Sequence, residues 1–368
     1  MPNHRAILAD VVHFTVPKAE AVYRMSELEE LTKTYGGIAV VQTIQRKAVP
    51  DHRTFLGKGK VEEIVQKAKG WGATVLILNA VLKPQQIFNL EEALRPAGVK
   101  VWDRIDLILH IFEKHATSAE AKLEIELARL RHMGPRIFNL GAQLGRQRGG
   151  TGTRGGSGEG NTEAMKRHLR EQERHILDKL KQYESLRNEQ RKNRARRGQQ
   201  TVALVGYTNA GKTSLLAALT KRKERGENKL FATLDTRVGE CFLSDRNETV
   251  LISDTIGFIE GLPPELIKAF TSTLSEAVHA DVILHIADGS DEKCLRKMKV
   301  VDEVLATLGA GHRGRLLVLN KGDLLTPAKK HELQSVFHPN AIVSATQKEG
   351  MENLKKEISG VLSPSWPR

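Results

Sequence analysis

The chain is poor in cysteine and aromatic side chains, and it has no long uncharged apolar run. Its only two cysteines, Cys241 and Cys294, lie far apart and lack the spacing of a metal knuckle or a disulfide framework. That pattern fits a reducing compartment, and the expected location is the cytoplasm. Aromatics make up 5% of the residues, which argues against a broad aromatic recognition surface. No stretch approaches the roughly 18 apolar residues a membrane span requires. The opening MPNHRAILAD lacks the charged start and apolar stretch of a secretory signal, so no leader is expected.

Positive charge, by contrast, is in excess. Lys and Arg number 57 against 44 Asp and Glu, a formal net charge of +13 over 368 residues. Such a balance favours a polyanionic partner, because each phosphate neutralised releases counterions. The alternative is that the charge only solubilises the chain. Hydrophobic residues, at 40%, suffice for ordinary globular cores.

Three zones follow one another. Across residues 1–115, Val- and Ile-rich runs (AILADVVHF, GIAVVQTI, ATVLILN, VKVW) alternate with helical segments that end at glycine or contain Pro. That alternation predicts a small α/β domain with a parallel sheet. Across 116–198 the period changes to helical. Leu123, Leu127 and Leu130 form one stripe, and Met165, Leu169, Ile176, Tyr183 and Leu186 form another. The pair reads as a helical hairpin, interrupted at 134–161 by a glycine-rich linker too irregular to hold regular structure. Its second helix ends in a basic cluster of Arg187, Arg191, Lys192, Arg194, Arg196 and Arg197. From 199 to 368, β-α alternation resumes, with an antiparallel edge strand expected at 240–244. The fold class is therefore α/β: a mostly parallel, doubly wound domain preceded by a smaller α/β domain and a helical hairpin.

The last zone carries the chemistry. After the strand at 201–205 comes Gly206-Tyr207-Thr208-Asn209-Ala210-Gly211-Lys212-Thr213 and then a helix, the strand–loop–helix setting of a phosphate-binding loop. Gly206 and Gly211 let backbone N–H groups approach a phosphate, Lys212 supplies a point charge, and Thr213 offers a hydroxyl to Mg²⁺. Asp254-Thr255-Ile256-Gly257 follows the strand TVLIS, placing an acid near the metal and a glycine N–H near the γ-phosphate. Asn320-Lys321-Gly322-Asp323 follows RLLVL. An acid at Asp323 accepts two hydrogen bonds from guanine N1–H and its amine, a pattern that adenine lacks. Asn320 braces the phosphate loop, and Ser344-Ala345-Thr346 offers a backbone N–H to the guanine carbonyl. Any one acid alone could be a solvated loop residue. Their shared order at successive strand ends points to a Mg²⁺-dependent GTP site and to GTP and GDP as ligands.

GYTNAGKT, Leu230-Phe231-Ala232-Thr233-Leu234-Asp235, DTIGF and NKGD together resemble the translation-factor-related GTPases, and within them the HflX family. FLGKGKVEEI, QQIFNLEEAL, LILHIF, KLEIELARLRHMGPR and GGTGTRG carry the same resemblance through the first half. It implies that Phe231–Asp235 border the nucleotide and that Thr233 ligates Mg²⁺ in the GTP state. It also implies a catalytic set of Lys212, Thr233, Asp254 and Gly257. As partners it implies the large ribosomal subunit and its RNA, with the protein monomeric off the ribosome and splitting or rescuing stalled ribosomes. Two other functional readings stand beside it: a GTP-regulated RNA scaffold, and a GTPase of ribosome assembly or RNA modification.

The chain departs from the family at Thr236-Arg237 after FATLD, at Arg104-Ile105-Asp106-Leu107, and at GTRGGSGE. Phe258 follows the DxxG glycine where many relatives have Gln, so slow intrinsic hydrolysis is expected. Asn209 either ligates K⁺ or forms a turn. The Gly57–Lys60 loop either cradles a second phosphate or contacts RNA. The chain stops soon after the GTPase core, and no further C-terminal domain is expected.

Overall fold

The computed structural model describes residues 4–147, 157–220, 230–231, 237–263, 266–267, 270–310 and 314–362; within these, no side chain is described at 137–162 or 271–273. The chain divides into two compact units. One comprises residues up to Lys114 together with Ile125–Lys179, and the other His115–Glu124 together with Leu180 onward.

The first unit is built on a four-stranded parallel sheet. Its strands are β1 (Arg5–Val12), β2 (Ile38–Arg46), β3 (Val75–Leu78) and β4 (Lys100–Trp102), in the order β2-β1-β3-β4. Helices α1 (Lys18–Tyr35), α2 (Lys58–Trp71), α3 (Pro84–Leu94) and α4 (Arg104–His115) complete it. β1 and β3 are central strands and are buried almost throughout, which explains their unbroken apolar sequence. α1 stops where Gly36 turns left-handed at φ 98°. Ile7, Leu76, Leu78, Ile64, Leu90 and Val101 lie in its core.

One expectation changes here, and one departure from the family pattern gains a structural role. Gly57-Lys58-Gly59-Lys60 is the first turn of α2 rather than a loop. Gly57 donates its N–H to Gln45 Oε1 at 2.9 Å, and Lys60 Nζ is held by Glu63 at 2.6 Å. Glycine-rich as the stretch is, only Gly57 stands outside the helix. Asp106, one of the departures from the family pattern, closes a reciprocal cap on α4. Asp106 N–H donates to Asp103 Oδ1 (2.9 Å), and Asp103 N–H donates to Asp106 Oδ2 (3.0 Å).

Helix α5 runs Ala119–Gln147 and α6 runs Ser157–Arg196. The irregular linker predicted for 134–161 is therefore helical over most of its length. Pro135 lies inside α5. Loss of one backbone donor there is offset by Arg136, the residue after the proline, whose guanidinium grips Asp103 (2.9 Å) and Asp106 (2.8 Å). Met133, Ile137, Leu140 and Leu144 also keep a helical spacing through the glycines. The two helices run antiparallel. In the first unit Arg131 pairs with Glu173 (2.7 Å), and in the second Glu120 pairs with Arg187 (2.8 Å). The covered face of α6 also differs from the one expected. Met165 and Leu186 are exposed, whereas Leu169, Glu173, Ile176, Leu180, Tyr183 and Arg187 form the less accessible stripe.

The second unit holds a six-stranded sheet in the order β10-β9-β8-β5-β7-β6. Its strands are β5 (Thr201–Gly206), β6 (Arg237–Leu243), β7 (Glu248–Asp254), β8 (Val282–Asp288), β9 (Gly314–Asn320) and β10 (Ala341–Ile342). All pair in parallel except β6, an antiparallel edge strand that starts three residues before the predicted 240–244. Helices α7 (Lys212–Thr220), α8 (Thr271–His279), α9 (Cys294–Thr307), α10 (Pro327–Phe337) and α11 (Met351–Val361) accompany it. Val202, Leu204, Val250, Ile252, Leu284 and Val318 lie in the core beneath α7 and α11. The C-terminal ends of β5, β7, β8, β9 and β10 face one edge of the sheet, where doubly wound folds bind ligands. No described helix is long and apolar enough to cross a membrane.

Candidate nucleotide site

The loop between β5 and α7 owes its path to three backbone positions. A Cβ on Gly206 would lie 2.2 Å from the Ile286 carbonyl oxygen of the neighbouring strand, so only glycine fits. Asn209 (φ 62°) and Gly211 (φ 88°) take left-handed conformations that turn the chain into α7. A Cβ on Gly211 would also strike Asn320 Nδ2 at 2.2 Å. Lys212, the first residue of α7, is buried. Its ammonium donates to the carbonyls of Gly206 (3.1 Å) and Tyr207 (3.0 Å). An ammonium has three hydrogens, so the loop's own carbonyls leave one for a ligand. Burial pulls the Lys212 pKa down to about 8, with Asp254 opposing the shift.

Beside it, Thr213 Oγ1 donates to Asp254 Oδ2 at 2.7 Å, and Asp254 is fully buried at the end of β7. A hydroxyl and a carboxylate side by side are the hard oxygen donors that Mg²⁺ takes. Thr255 turns its hydroxyl to the Leu204 carbonyl (2.7 Å) and so bonds β7 to β5 rather than facing a ligand. Gly257 crosses directly over the loop. A Cβ there would lie 2.9 Å from Thr208 Cα and 3.0 Å from Lys212 Nζ. Phe258, next in line, is buried at 1% exposure. Only its backbone reaches the site, its N–H donating to Gly206 O (3.1 Å) and its carbonyl accepting from Thr208 N–H (2.7 Å).

At the other end, Asn320 is buried and bonds in two directions. Its Nδ2 donates to the Ala210 carbonyl (2.9 Å), and its Oδ1 accepts the Ala345 N–H (3.1 Å). One amide therefore joins the phosphate loop to the Ser344–Thr346 segment. Ser344 N–H is likewise used, on Glu349 O at 3.1 Å. Lys321 is left-handed (φ 62°), and its ammonium sits 2.6 Å from Asp288 Oδ2. Gly322 N–H donates to Val343 O at 2.9 Å. Asp323 then stands exposed in a short 3-10 turn, its carboxylate turned to solvent.

Of the remaining predicted residues, Tyr207, Thr208, Ala210 and Ile256 are buried and Asn209 is exposed. Phe231 is buried with φ 56°, whereas Ala232, Thr233, Leu234 and Asp235 lie outside the described residues, as does Thr236. One residue, Asp288, and one contact, Tyr207 to Glu260, escaped the sequence reading. Asp288 holds Lys321, and an acid closing the strand DVILHIAD was the available signal. Tyr207 Oη accepts the Glu260 N–H at 2.8 Å, a pairing that no sequence spacing announces.

Comparison with known proteins accounts for all three zones. Residues 22–113 match the family described as GTP-binding GTPase N-terminal, 115–194 the GTP-binding GTPase middle region, and 201–321 the 50S ribosome-binding GTPase. The GTPase HflX of Caldanaerobacter subterraneus subsp. tengcongensis is 41% identical over 356 residues, 97% of this chain and 80% of that protein. The chain belongs to the HflX family of GTPases. The GTPase HflX of Escherichia coli is 38% identical over 319 residues, 86% of this chain and 73% of that one. A crystal structure of SsGBP with GDP shares the fold at 24% identity, with a TM-score of 0.52 over 97% of this chain and 98% of that one. Members of this family are P-loop enzymes that bind and hydrolyse GTP, and this HflX-family chain carries the corresponding loop, acid and amide in one connected site.

Proposed function

We propose that this protein hydrolyses GTP with Mg²⁺ and acts on the large ribosomal subunit, splitting or rescuing stalled ribosomes. The observation that carries the first half is Asn320, whose amide joins the phosphate loop at Ala210 to the base segment at Ala345. In this reading Lys212 serves the phosphates and Asp323, which is exposed, reads guanine N1–H and amine. Gly206, Gly211 and the α7 N-terminus receive the phosphates, and Lys212 adds its third hydrogen. Thr213 and Asp254 hold Mg²⁺, directly or through water, and Thr233 joins them by resemblance. When bound, the ion neutralises charge on the β- and γ-phosphates. The buried Phe258 ring cannot align the attacking water, so that task falls to backbone around Gly257 or to the partner, and intrinsic turnover is slow.

The ribosomal half rests on the family descriptions and on charge. The name of the matched family and the excess of +13 both favour an RNA-rich partner. The basic cluster of α6 is not uniform, however. Arg187 pairs with Glu120, Arg194 with Glu276, and Arg191 reaches Ser275, whereas Lys192, Arg196 and Arg197 are exposed. These last three are the phosphate-facing candidates. Asn209, left-handed and exposed, is placed either to ligate K⁺ or simply to turn the loop.

The test is phosphate release from GTP and from ATP, with and without Mg²⁺. GTP should be cleaved only with Mg²⁺, ATP should not be cleaved, and Thr213→Ala and Thr233→Ala should both be slow. Cleavage of ATP at the GTP rate would overturn the reading. A rate in K⁺ above that in Na⁺, lost in Asn209→Ala, assigns Asn209 to the ion; equal rates assign it to the turn.

A further inference from the structure

The segment Thr255–Glu260 leaves β7 and passes over the phosphate loop, secured by four hydrogen bonds. Thr255 Oγ1 holds Leu204 O, Phe258 N–H holds Gly206 O, Thr208 N–H holds Phe258 O, and Glu260 N–H holds the Tyr207 hydroxyl at 2.8 Å. The first three anchor the N-terminal side and middle of the segment. On its far side the Tyr207 hydroxyl holds the Glu260 backbone N–H, and that side chain belongs to the phosphate loop itself.

Tyr207 is held in turn. Its ring is buried at 5% exposure, and the Lys297 ammonium lies 5.0 Å from its centroid. Asp291 steadies that ammonium at 2.5 Å. Glu260 closes the circuit, its carboxylate gripping Arg296 Nε at 2.9 Å and Nη2 at 2.5 Å on α9. A bidentate guanidinium–carboxylate pair fixes direction as well as distance. Gly257 is thereby suspended between anchors on both sides, over Thr208 and Lys212 Nζ.

We propose that Tyr207 is a positioning residue for hydrolysis: its hydroxyl fixes the Gly257–Glu260 backbone over the phosphate loop, replacing with main-chain geometry the side chain that Phe258 lacks. Buried Phe258 contributes only its N–H and carbonyl, so the position of that backbone sets the reacting geometry. Tyr207 touches neither nucleotide nor metal in this scheme and acts through Glu260. The inference rests on the GTPase reading above.

The decisive variant is Tyr207→Phe, which deletes one acceptor and keeps the buried ring under Lys297. In wild type without nucleotide, the Glu260 amide should be protected from hydrogen exchange, and in Tyr207→Phe that protection should vanish. With GTP, kcat should fall about threefold to tenfold, the effect of one hydrogen bond. KM and the affinity for a fluorescent GDP analogue should stay within about twofold, since the phosphate loop's own N–H groups and Lys212 are retained. An unprotected Glu260 amide in wild type overturns the proposal without recourse to any variant, so misfolding cannot shelter it. Unchanged kcat in Tyr207→Phe also overturns it, as does an equal fall in kcat and nucleotide affinity, which means a distorted loop. Wild-type protein that cleaves no GTP while Glu260 is protected refutes the GTPase reading instead.

Discussion

At the scale of single residues, two side chains carry opposite ends of the recognition problem. In the proposed site Asp323 reads the base with a carboxylate that adenine cannot satisfy and that xanthine meets with a carbonyl. Asp323→Asn should weaken GTP binding by about a hundredfold or more and turn preference toward xanthosine triphosphate, in a competition assay against fluorescent GDP. Unaltered guanine selectivity would remove Asp323 from the base site. In the proposed site Lys212 carries the phosphate end, and its burial makes it sensitive to pH. With a folded pKa near 8, below the ordinary lysine value, the unliganded ammonium loses its proton as pH rises through about 8. Bound phosphate favours the charged form, so nucleotide affinity should be flat below pH 7 and fall above pH 8. A GDP affinity constant from pH 7 to 9.5 would contradict this. The loops that hold both residues were legible from the sequence, because Walker-type and NKxD spacings state backbone requirements, seen here in the left-handed Asn209, Gly211 and Lys321. Tyr207–Glu260 was not, since a hydroxyl meeting a backbone N–H fifty-three residues away leaves no trace in spacing.

At the scale of elements, strands were easier to read than helices. β5, β7, β8 and β9 are short apolar runs bounded by motif loops, and the register between them follows from burial on both faces. The helical middle was harder. Glycine and proline content suggested an irregular 134–161, yet α5 continues through Pro135 because Arg136 reaches Asp103 and Asp106. That clasp includes His132, 3.1 Å from Asp103 and 3.5 Å from Asp106. Burial works against the imidazolium, but hydrogen bonds to the two carboxylates prevail and raise His132 to about 9, while Asp106 is held at about 2. The signs differ for the two. The His132 contribution to stability is complete below its unfolded value near 6.5 and is lost as pH rises through about 9. That of Asp106 is present above its ordinary value and is lost as pH falls through about 2. Urea unfolding should therefore show stability lower at pH 9.5 than at pH 6.5, by on the order of 2 kcal/mol. His132→Gln should flatten most of that difference. If wild type and variant lose stability in parallel, the clasp does not anchor α5.

At the scale of the whole molecule, the family matches span the α/β N-terminal zone, the helical middle and the GTPase zone in sequence order. The sequence proposed a GTP site on four motifs, and it treated the α6 cluster as one basic surface. The structure divides it: Arg187, Arg191 and Arg194 face α8 or Glu120, and Lys192, Arg196 and Arg197 face outward. Reversing the outward three should weaken ribosome binding and make what remains less dependent on salt, measured by pelleting at several KCl concentrations, while basal hydrolysis persists. Loss of basal hydrolysis would mean that this turn of α6 supports the GTPase fold.

The central claim is that GTP occupancy of this site governs engagement of the large ribosomal subunit. The most direct measurement is sedimentation of the purified protein with separated large subunits, in a non-hydrolysable GTP analogue and in GDP. Pelleting should be several-fold greater with the analogue, and small subunits should bring down little in either state. Equal pelleting in the two nucleotide states, or preference for the small subunit, would contradict it.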